Sequence, residues 1–354
     1  MRPYGTYDET YAQDMAVCRT RLQWSILIGW LILLLSLPLF LDEWMVNFVN
    51  FIGISVIAAL GLNILTGYAG QISLGHAAFI GVGAYTTGML ARYLAFPIWI
   101  TLPCAALTAG LVGLIFGLPS LRIKGFYLAM ATLAAQFIIP WLIINIRPDI
   151  TGGAHSFRVP AATLEIGDMA LTSETSLFYL IIPLAALMTF FAKNLHRSRA
   201  GRAFIAIRDN DLAAEVMGIN LFTYKSLAFF ICSAFAGVAG CLWAYWMRAI
   251  AVDQFSLMES IWYVGIIIVG GLGSTSGVIM GTVFIRGLDR LVKIIGPTIE
   301  GAVPQLTGPW GATAALGPMV FGLVVLLFII LEPRGLSHRW EIFKASYRLW
   351  PFSY

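Results

Sequence analysis

The sequence predicts an all-α polytopic membrane protein, with about ten transmembrane helices and eight at the fewest. Some of these are broken or re-entrant, and both termini are cytoplasmic. Three observations carry that reading. Charged residues make up 11% of 354 residues and hydrophobic ones 59%, where a soluble domain carries about 25% charge. The few charges bracket long uncharged stretches, and an ionisable group inside a bilayer is expensive. The basic residues also fall mainly on alternate connections, as cytoplasmic loops demand.

Taken in order, the gaps between charges place the spans. Arg21 to Asp42 encloses 20 uncharged residues, one span, and Glu43 to Arg92 encloses 48, enough for two. Arg92 to Arg122 (29), Lys124 to Arg147 (22), Glu174 to Lys193 (18) and Lys225 to Arg248 (22) give one each. With the N-terminus inside, segments 1–21, 119–125, 193–225 and 332–354 hold 15 Lys+Arg, against 4 in 92–97, 147–175 and 248–260. The net charge of +4 therefore reports orientation and not nucleic-acid binding.

Glu259 to Arg286 encloses 26 residues and Glu300 to Glu332 encloses 31. An inside C-terminus requires an even number of crossings before the last span. A break at Gly270-Gly271-Leu272-Gly273-Ser274 supplies it by dividing 258–296 into two short helices. Arg286, Arg290 and Lys293 then stay outside or at the interface. A re-entrant hairpin there is the alternative.

The organisation that follows is a cytoplasmic N-terminal segment, 1–21, and a transmembrane domain, 22–336, with an outer loop at 147–175 and a cytoplasmic loop at 193–225. Residues 337–354 form a cytoplasmic or interfacial tail, with Trp340, Phe343, Lys344, Arg348 and Trp350 mixed as membrane-surface helices mix them. Segment 294–311, rich in Gly and Pro, is predicted at the outer surface. The first apolar stretch follows polar residues and lacks a small-residue cleavage pattern, so it reads as a retained span.

Several chemistries are absent from the residues. Cys18, Cys104, Cys232 and Cys241 have no metal-ligand spacing and imply no disulfide. There is no Walker A sequence, indeed no Gly-Lys dipeptide, so no phosphate cradle of that kind. HExxH and GxSxG are missing, and the histidines stand apart at 76, 155, 196 and 338. A secondary transporter would place carboxylates or a charged pair within its spans, and none is evident.

What the spans do carry is glycine and neutral polar residues. Gly61–Gly88 holds seven glycines in 28 residues, which in a membrane allow close helix approach or a broken helix facing protein or water. A break at Gly67–Gly70 puts Gln71, Ser73 and His76 just beyond it, candidates for a substrate-facing half-helix. Helix packing through Gly75, Gly81 and Gly83 is the competing reading, with His76 a satisfied packing residue. Tyr127 and Thr132, in the span opening Gly125-Phe126-Tyr127, are further pathway candidates, with an interface anchor the simpler role for the aromatic pair. Gly265–Gly287 has a similar glycine rhythm, too short a match to establish a repeat.

The loop Lys193–Lys225 holds six of the 22 Lys+Arg. Phe204, Ile205, Ile207, Leu212, Ala213, Val216 and Met217 recur at helical spacing, predicting one or two short amphipathic helices. Asp209 and Asn210 suit the N-cap of the second and Gly218 its stop. An ordinary solvated connection is the bland alternative.

Leu212-Ala213-Ala214-Glu215-Val216-Met217-Gly218-Ile219 resembles the Glu-Ala-Ala-x3-Gly coupling loop of ABC-importer permeases, with Leu212 where the Glu would stand. More closely, Ser198–Ala203, Ile207–Asn210 and Gly218–Asn220 resemble the LivM-type branched-chain amino acid permease family. So do LNILTGYAGQISLGHAAFIGVGAYT, GFYLAMATLA, TGG, GGLGSTSGVIMG and EPRGL, in family order from about 55 to 336. The resemblance implies a non-enzymatic permease subunit of the bacterial inner membrane that moves branched-chain amino acids by alternating access. It implies a LivH-type permease partner, two ATP-binding subunits of the LivG and LivF type that bind ATP and Mg, and a periplasmic binding protein. The chain itself would hold no cofactor and no metal, would meet membrane lipid and would bind no nucleic acid. Gly201, Arg202, Arg208, Asp209, Ala213, Ala214, Glu215 and Gly218 would form the ATPase-coupling loop, and Gly67, Gly70, Gly270, Gly271 and Gly273 the hinges. Urea or short-chain amides are the alternative cargo, and a self-sufficient secondary transporter the rival class.

Overall fold

The computed structural model describes residues 21–118, 125–153, 155–160, 165–166, 169–170, 173–302 and 312–349. The predicted N-terminal segment, the Arg122 and Lys124 connection, parts of the outer loop, 303–311 and the last residues of the tail lie outside these.

The chain is a bundle of helices. Arg21–Ser36 (α1) runs through a short turn, Leu37–Leu39, to Glu43–Asn63 (α2), whose last turn, Ile64–Tyr68, widens to π winding. There follow His76–Leu94 (α3), Ile98–Gly117 (α4), Phe126–Asn145 (α5) and Glu174–Arg197 (α6). The loop 193–225 folds into Arg199–Asp209 (α7) and Asp211–Val216 (α8). Leu221–Met247 (α9), Leu257–Gly270 (α10), Thr275–Ala302 (α11), Ala312–Leu331 (α12) and Gly335–Leu349 (α13) complete it. Among the described residues six helices are long and apolar enough to cross a membrane: 43–68, 98–117, 127–145, 174–197, 221–247 and 252–270. A seventh candidate is the pair Leu316–Leu331 and Gly335–Ser346, bent by 48°. The chain is a multi-pass, all-α membrane protein.

Small residues build the centre. On α9, Ser233, Gly237 and Gly240 face Gly113 and Ala105 of α4 and Ile80 of α3 so closely that a Cβ on either glycine would strike backbone. Gly83 of α3 also lies against Gly237. Lipid offers no hydrophobic drive between helices, so this close approach supplies the dispersion contact that holds them. Gly75, Gly81 and Gly83 are packing glycines as one reading predicted, pressed on Thr132, Phe255 and Gly237.

At one end of the bundle, the predicted outer loop carries short strands. Phe157–Arg158 (β1) pairs antiparallel with Ala249–Ile250 (β4), beyond α9, and Glu165–Ile166 (β2) pairs with Met169–Ala170 (β3). Arg92 stacks over Phe157 at 4.8 Å, and Tyr93 Oη donates to the Asp149 and Ile150 carbonyls at 3.2 Å.

One placement differs from the sequence reading. Arg286, predicted outside or at the interface, is 3% exposed within the bundle. It pairs with Glu259 of α10 and lies beneath the faces of Phe51 and Tyr263, 4.5 and 5.2 Å from their centroids. Arg290 sits over Trp44 at 4.0 Å. A charged pair therefore does exist inside the bundle, against the expectation of none. Its cost is lowered by the opposite charge and by ring faces that attract cations.

Candidate coupling and pathway site

Both predicted breaks are present, and they meet. After the π turn the chain unwinds through 69–75 and turns back, so that α3 starts beside the middle of α2 with His76 Nε2 donating to the Ala58 carbonyl at 2.8 Å. That bond leaves Nδ1, 3.6 Å from Cys232 Sγ, as an acceptor. His76 is thus a satisfied packing residue. The second break separates α10 from α11 at Gly271 (φ +110°) and Gly273 (φ +78°), backbone conformations that glycine alone adopts freely. The Gly273 N–H donates to Asn63 Oδ1 at 2.9 Å, and Tyr68 Oη lies 3.0 Å from Thr275 Oγ1. Gly270 packs against the Gly277 carbonyl, and Gly271 against Gly335 in the turn that follows α12.

An α-helix that begins inside a bundle has N–H groups to satisfy away from water. Two residues not singled out in the sequence do so. Gln136 Oε1 on α5 accepts from Ala78 N at 3.1 Å and from Ser260 Oγ at 2.9 Å, and its Nε2 donates to the Phe255 carbonyl at 2.6 Å. Ser260 Oγ in turn accepts from Ala77 N at 2.9 Å. The available signal was a neutral polar residue isolated in an apolar span. Thr132 Oγ1, which was a candidate, accepts from Leu74 N at 3.0 Å and holds the unwound segment.

Gln71 and Ser73 are different. Both are buried, and neither the Gln71 amide atoms nor the Ser73 hydroxyl has a hydrogen-bond partner among the described residues. Buried polar groups are normally paired, and these two stand out as exceptions. Gln71 lines a cleft of about 340 Å³ together with Arg208, Asp209, Asn210, Asp211 and Lys225. Lys225 is buried and pairs with Asp211 at 3.4 Å. Tyr127, 73% exposed, joins none of these contacts.

The loop helices border the same cleft. Ser198 Oγ caps α7 by accepting from Gly201 N at 3.3 Å, and a Cβ on Gly201 would strike the Leu195 and His196 carbonyls in the turn out of α6. Arg202 donates to the Arg197 carbonyl at 3.0 Å. Asn210, not Asp209, caps α8, accepting from Ala213 N at 3.1 Å. Gly218, at φ +85°, ends it with its N–H on the Glu215 carbonyl at 2.9 Å. Only Ala214 of α8 is buried. Leu212, Val216 and Met217 are 66, 87 and 82% exposed, while Ala213 and Glu215 are exposed beside them. A short helix anchored by one alanine thus presents an apolar cluster at the end of the bundle where both breaks lie.

The chain is similar to the high-affinity branched-chain amino acid transport system permease protein LivM of Escherichia coli, 31% identical over 289 residues that cover 75% of this chain and 68% of the relative. The LivM protein of Salmonella typhimurium is equally similar, at 31% identity. A probable branched-chain amino acid transport permease protein LivM of Methanocaldococcus jannaschii is 24% identical over 319 residues, covering 80% of this chain and 90% of the relative. No solved structure matches the chain. Residues 44–330 match the family described as the permease component of branched-chain amino acid transport systems, and the chain belongs to that family of ABC transporter permeases.

Proposed function

We propose that this chain is the permease subunit of an ABC importer carrying leucine, isoleucine and valine across the bacterial inner membrane by alternating access. The observation that carries the reading is α8. It is a six-residue helix capped by Asn210 and stopped by Gly218, with an apolar cluster raised beside two membrane breaks. Such a cluster suits a cleft in a separate ATPase subunit, since exposed apolar surface on a polar-flanked element marks an interaction site. Two ATPase subunits would bind ATP and Mg. A LivH-type permease would complete the membrane pair, and a periplasmic binding protein would deliver the substrate.

In this reading the helices α1, α2, α3, α4, α5, α6, α9, α10, α11 and α12 make ten crossings. Segment 193–225 and the turn after α12 then lie in the cytoplasm, in agreement with the basic-residue bias. The unwound segment 69–75 opens toward the cytoplasmic side, and Gln71 and Ser73 offer neutral polar contacts to cargo.

Reconstitution in liposomes with the three partner subunits and the binding protein tests the proposal. Labelled leucine should enter only with ATP and all components. Uptake by this chain alone, without ATP, would overturn it in favour of a secondary transporter. The Glu259–Arg286 pair meets the charge criterion for that rival, so the ATP dependence of uptake is what separates the two. Urea or a short-chain amide remains the second cargo reading, favoured by the free Gln71 amide, which pairs well with another amide. Competition of labelled leucine uptake by urea or acetamide separates the two.

A further inference from the structure

We infer that Arg208 is the positioning residue that ties the loop helices to both membrane breaks, so that the three move as one unit. The inference rests on the importer reading for its consequence in transport, and on contacts within this chain for the tie itself.

Arg208 ends α7. Its Nε and Nη2 donate to Asp209 Oδ1 at 3.1 and 3.0 Å, which aims the guanidinium. Its Nη1 donates to the Gly67 carbonyl at 2.9 Å, across 141 residues of sequence. The carbonyls of a helix C-terminus lack partners within the helix and attract cations, and Gly67 lies in the π-wound last turn of α2. The stem of Arg208 is held as well. Gly70, at φ +67°, rests on its Cα, Cβ and Cγ, so closely that any larger residue at 70 would strike it.

The second break is bound to the same point. A Cβ on Gly67 would strike Asn63 Oδ1 and the Gly273 N. Asn63 holds the Gly273 N–H at 2.9 Å, and Arg208 Nη1 stands 3.4 Å from where a Cβ on Gly273 would be. Tyr68 adds two further ties, its hydroxyl to Thr275 at the start of α11 and its ring against His196 at the end of α6, 4.7 Å between centroids. A hydrogen bond of this kind is lost once donor and acceptor separate by more than a few tenths of an ångström beyond about 3.2 Å. A shift of α7 and α8 therefore either breaks the Arg208 bond or carries Gly67 and Gly273 with it. With the bond intact, motion of the loop is delivered to both breaks together.

The test uses the full chain in lipid nanodiscs, with Cys18 and Cys104 replaced by Ser and spin labels at Leu212→Cys and Leu272→Cys, both exposed positions. Arg208→Met keeps the stem that packs on Gly70 and removes the donors. The parent should give one narrow distance distribution, and the variant a clearly broader one at an unchanged thermal midpoint. Arg208→Lys, a point charge without the fork that grips Asp209 and Gly67 together, should restore the width only in part. In the complete transporter, Arg208→Met should raise ATP hydrolysed per substrate imported by about fivefold or more, the lower range for coupling between linked sites. A narrow distribution in Arg208→Met overturns the tie, and a broad one with unchanged stoichiometry overturns its role in transport. If the parent complex shows no ATP-dependent uptake while the distribution broadens as stated, the importer reading fails and the tie stands.

Discussion

Arg286 and Glu259 show how a single residue can contradict the rule used to find it. Treating each charge as a span boundary puts Arg286 at an interface, whereas it is buried under Phe51 and Tyr263. The partner that tolerates it stands 27 positions away on another helix, which no periodicity reveals. Breaking such a pair from one side leaves a buried charge uncompensated. Arg286→Met should destabilise the chain by about 3–5 kcal/mol, and Glu259→Leu with Arg286→Met should recover most of that loss. Thermal midpoints of the purified variants in detergent check both outcomes. Gln71 argues in the opposite direction. Its side-chain amide has no partner among the described residues, so Gln71→Ala removes an unsatisfied group and should leave the midpoint unchanged or raised. ATP-dependent uptake should nevertheless fall while the ATPase subunits still co-purify. Unchanged uptake would make Gln71 a packing residue. The glycines around both positions were legible, because a glycine cluster in an apolar span has few uses. Gln136 and Ser260 were not, since which isolated polar residue meets which helix start is decided by tertiary contact alone.

For single elements, α8 was legible almost to the residue. Its N-cap and its glycine stop are local signals, and local signals survive without tertiary information. Of the two predicted caps, Asn210 takes the role, and Asp209 is held by Arg208. Asn210→Ala should weaken α8 by about 1 kcal/mol, read as faster amide exchange at Ala213–Met217. Gly218→Pro is more severe. Proline locks φ near −65° and has no N–H, whereas this position sits at φ +85° and donates to Glu215. Because α8 is tied to the bundle mainly through Ala214, Gly218→Pro should leave membrane insertion intact and abolish ATP-coupled uptake. Uptake at the parent rate would remove α8 from the coupling role.

Across the whole molecule, composition and charge spacing predict the class and the order of the helices, because both follow from the cost of polar groups in lipid. What they do not predict is that the two breaks touch. Asn63 and Gly67 lie some 200 positions from Gly273 in the chain and meet it through one side-chain bond and bare backbone. That meeting fixes which connections share a face. Leu212, Leu272 and the turn after α12 must be on one side, and Asp149 with the β1–β4 pair on the other. In the Cys18→Ser, Cys104→Ser chain, Leu212→Cys and Leu272→Cys should react with an impermeant maleimide only from the cytoplasmic side of oriented membranes. Asp149→Cys, exposed on the outer loop, should react only from the periplasmic side. Cys232 and Cys241 are buried and should stay silent until the chain is unfolded. Labelling of Leu212→Cys and Asp149→Cys from the same side would require α6 to return without crossing. It would undo the proposed ten-span topology while leaving the contact between the two breaks in place.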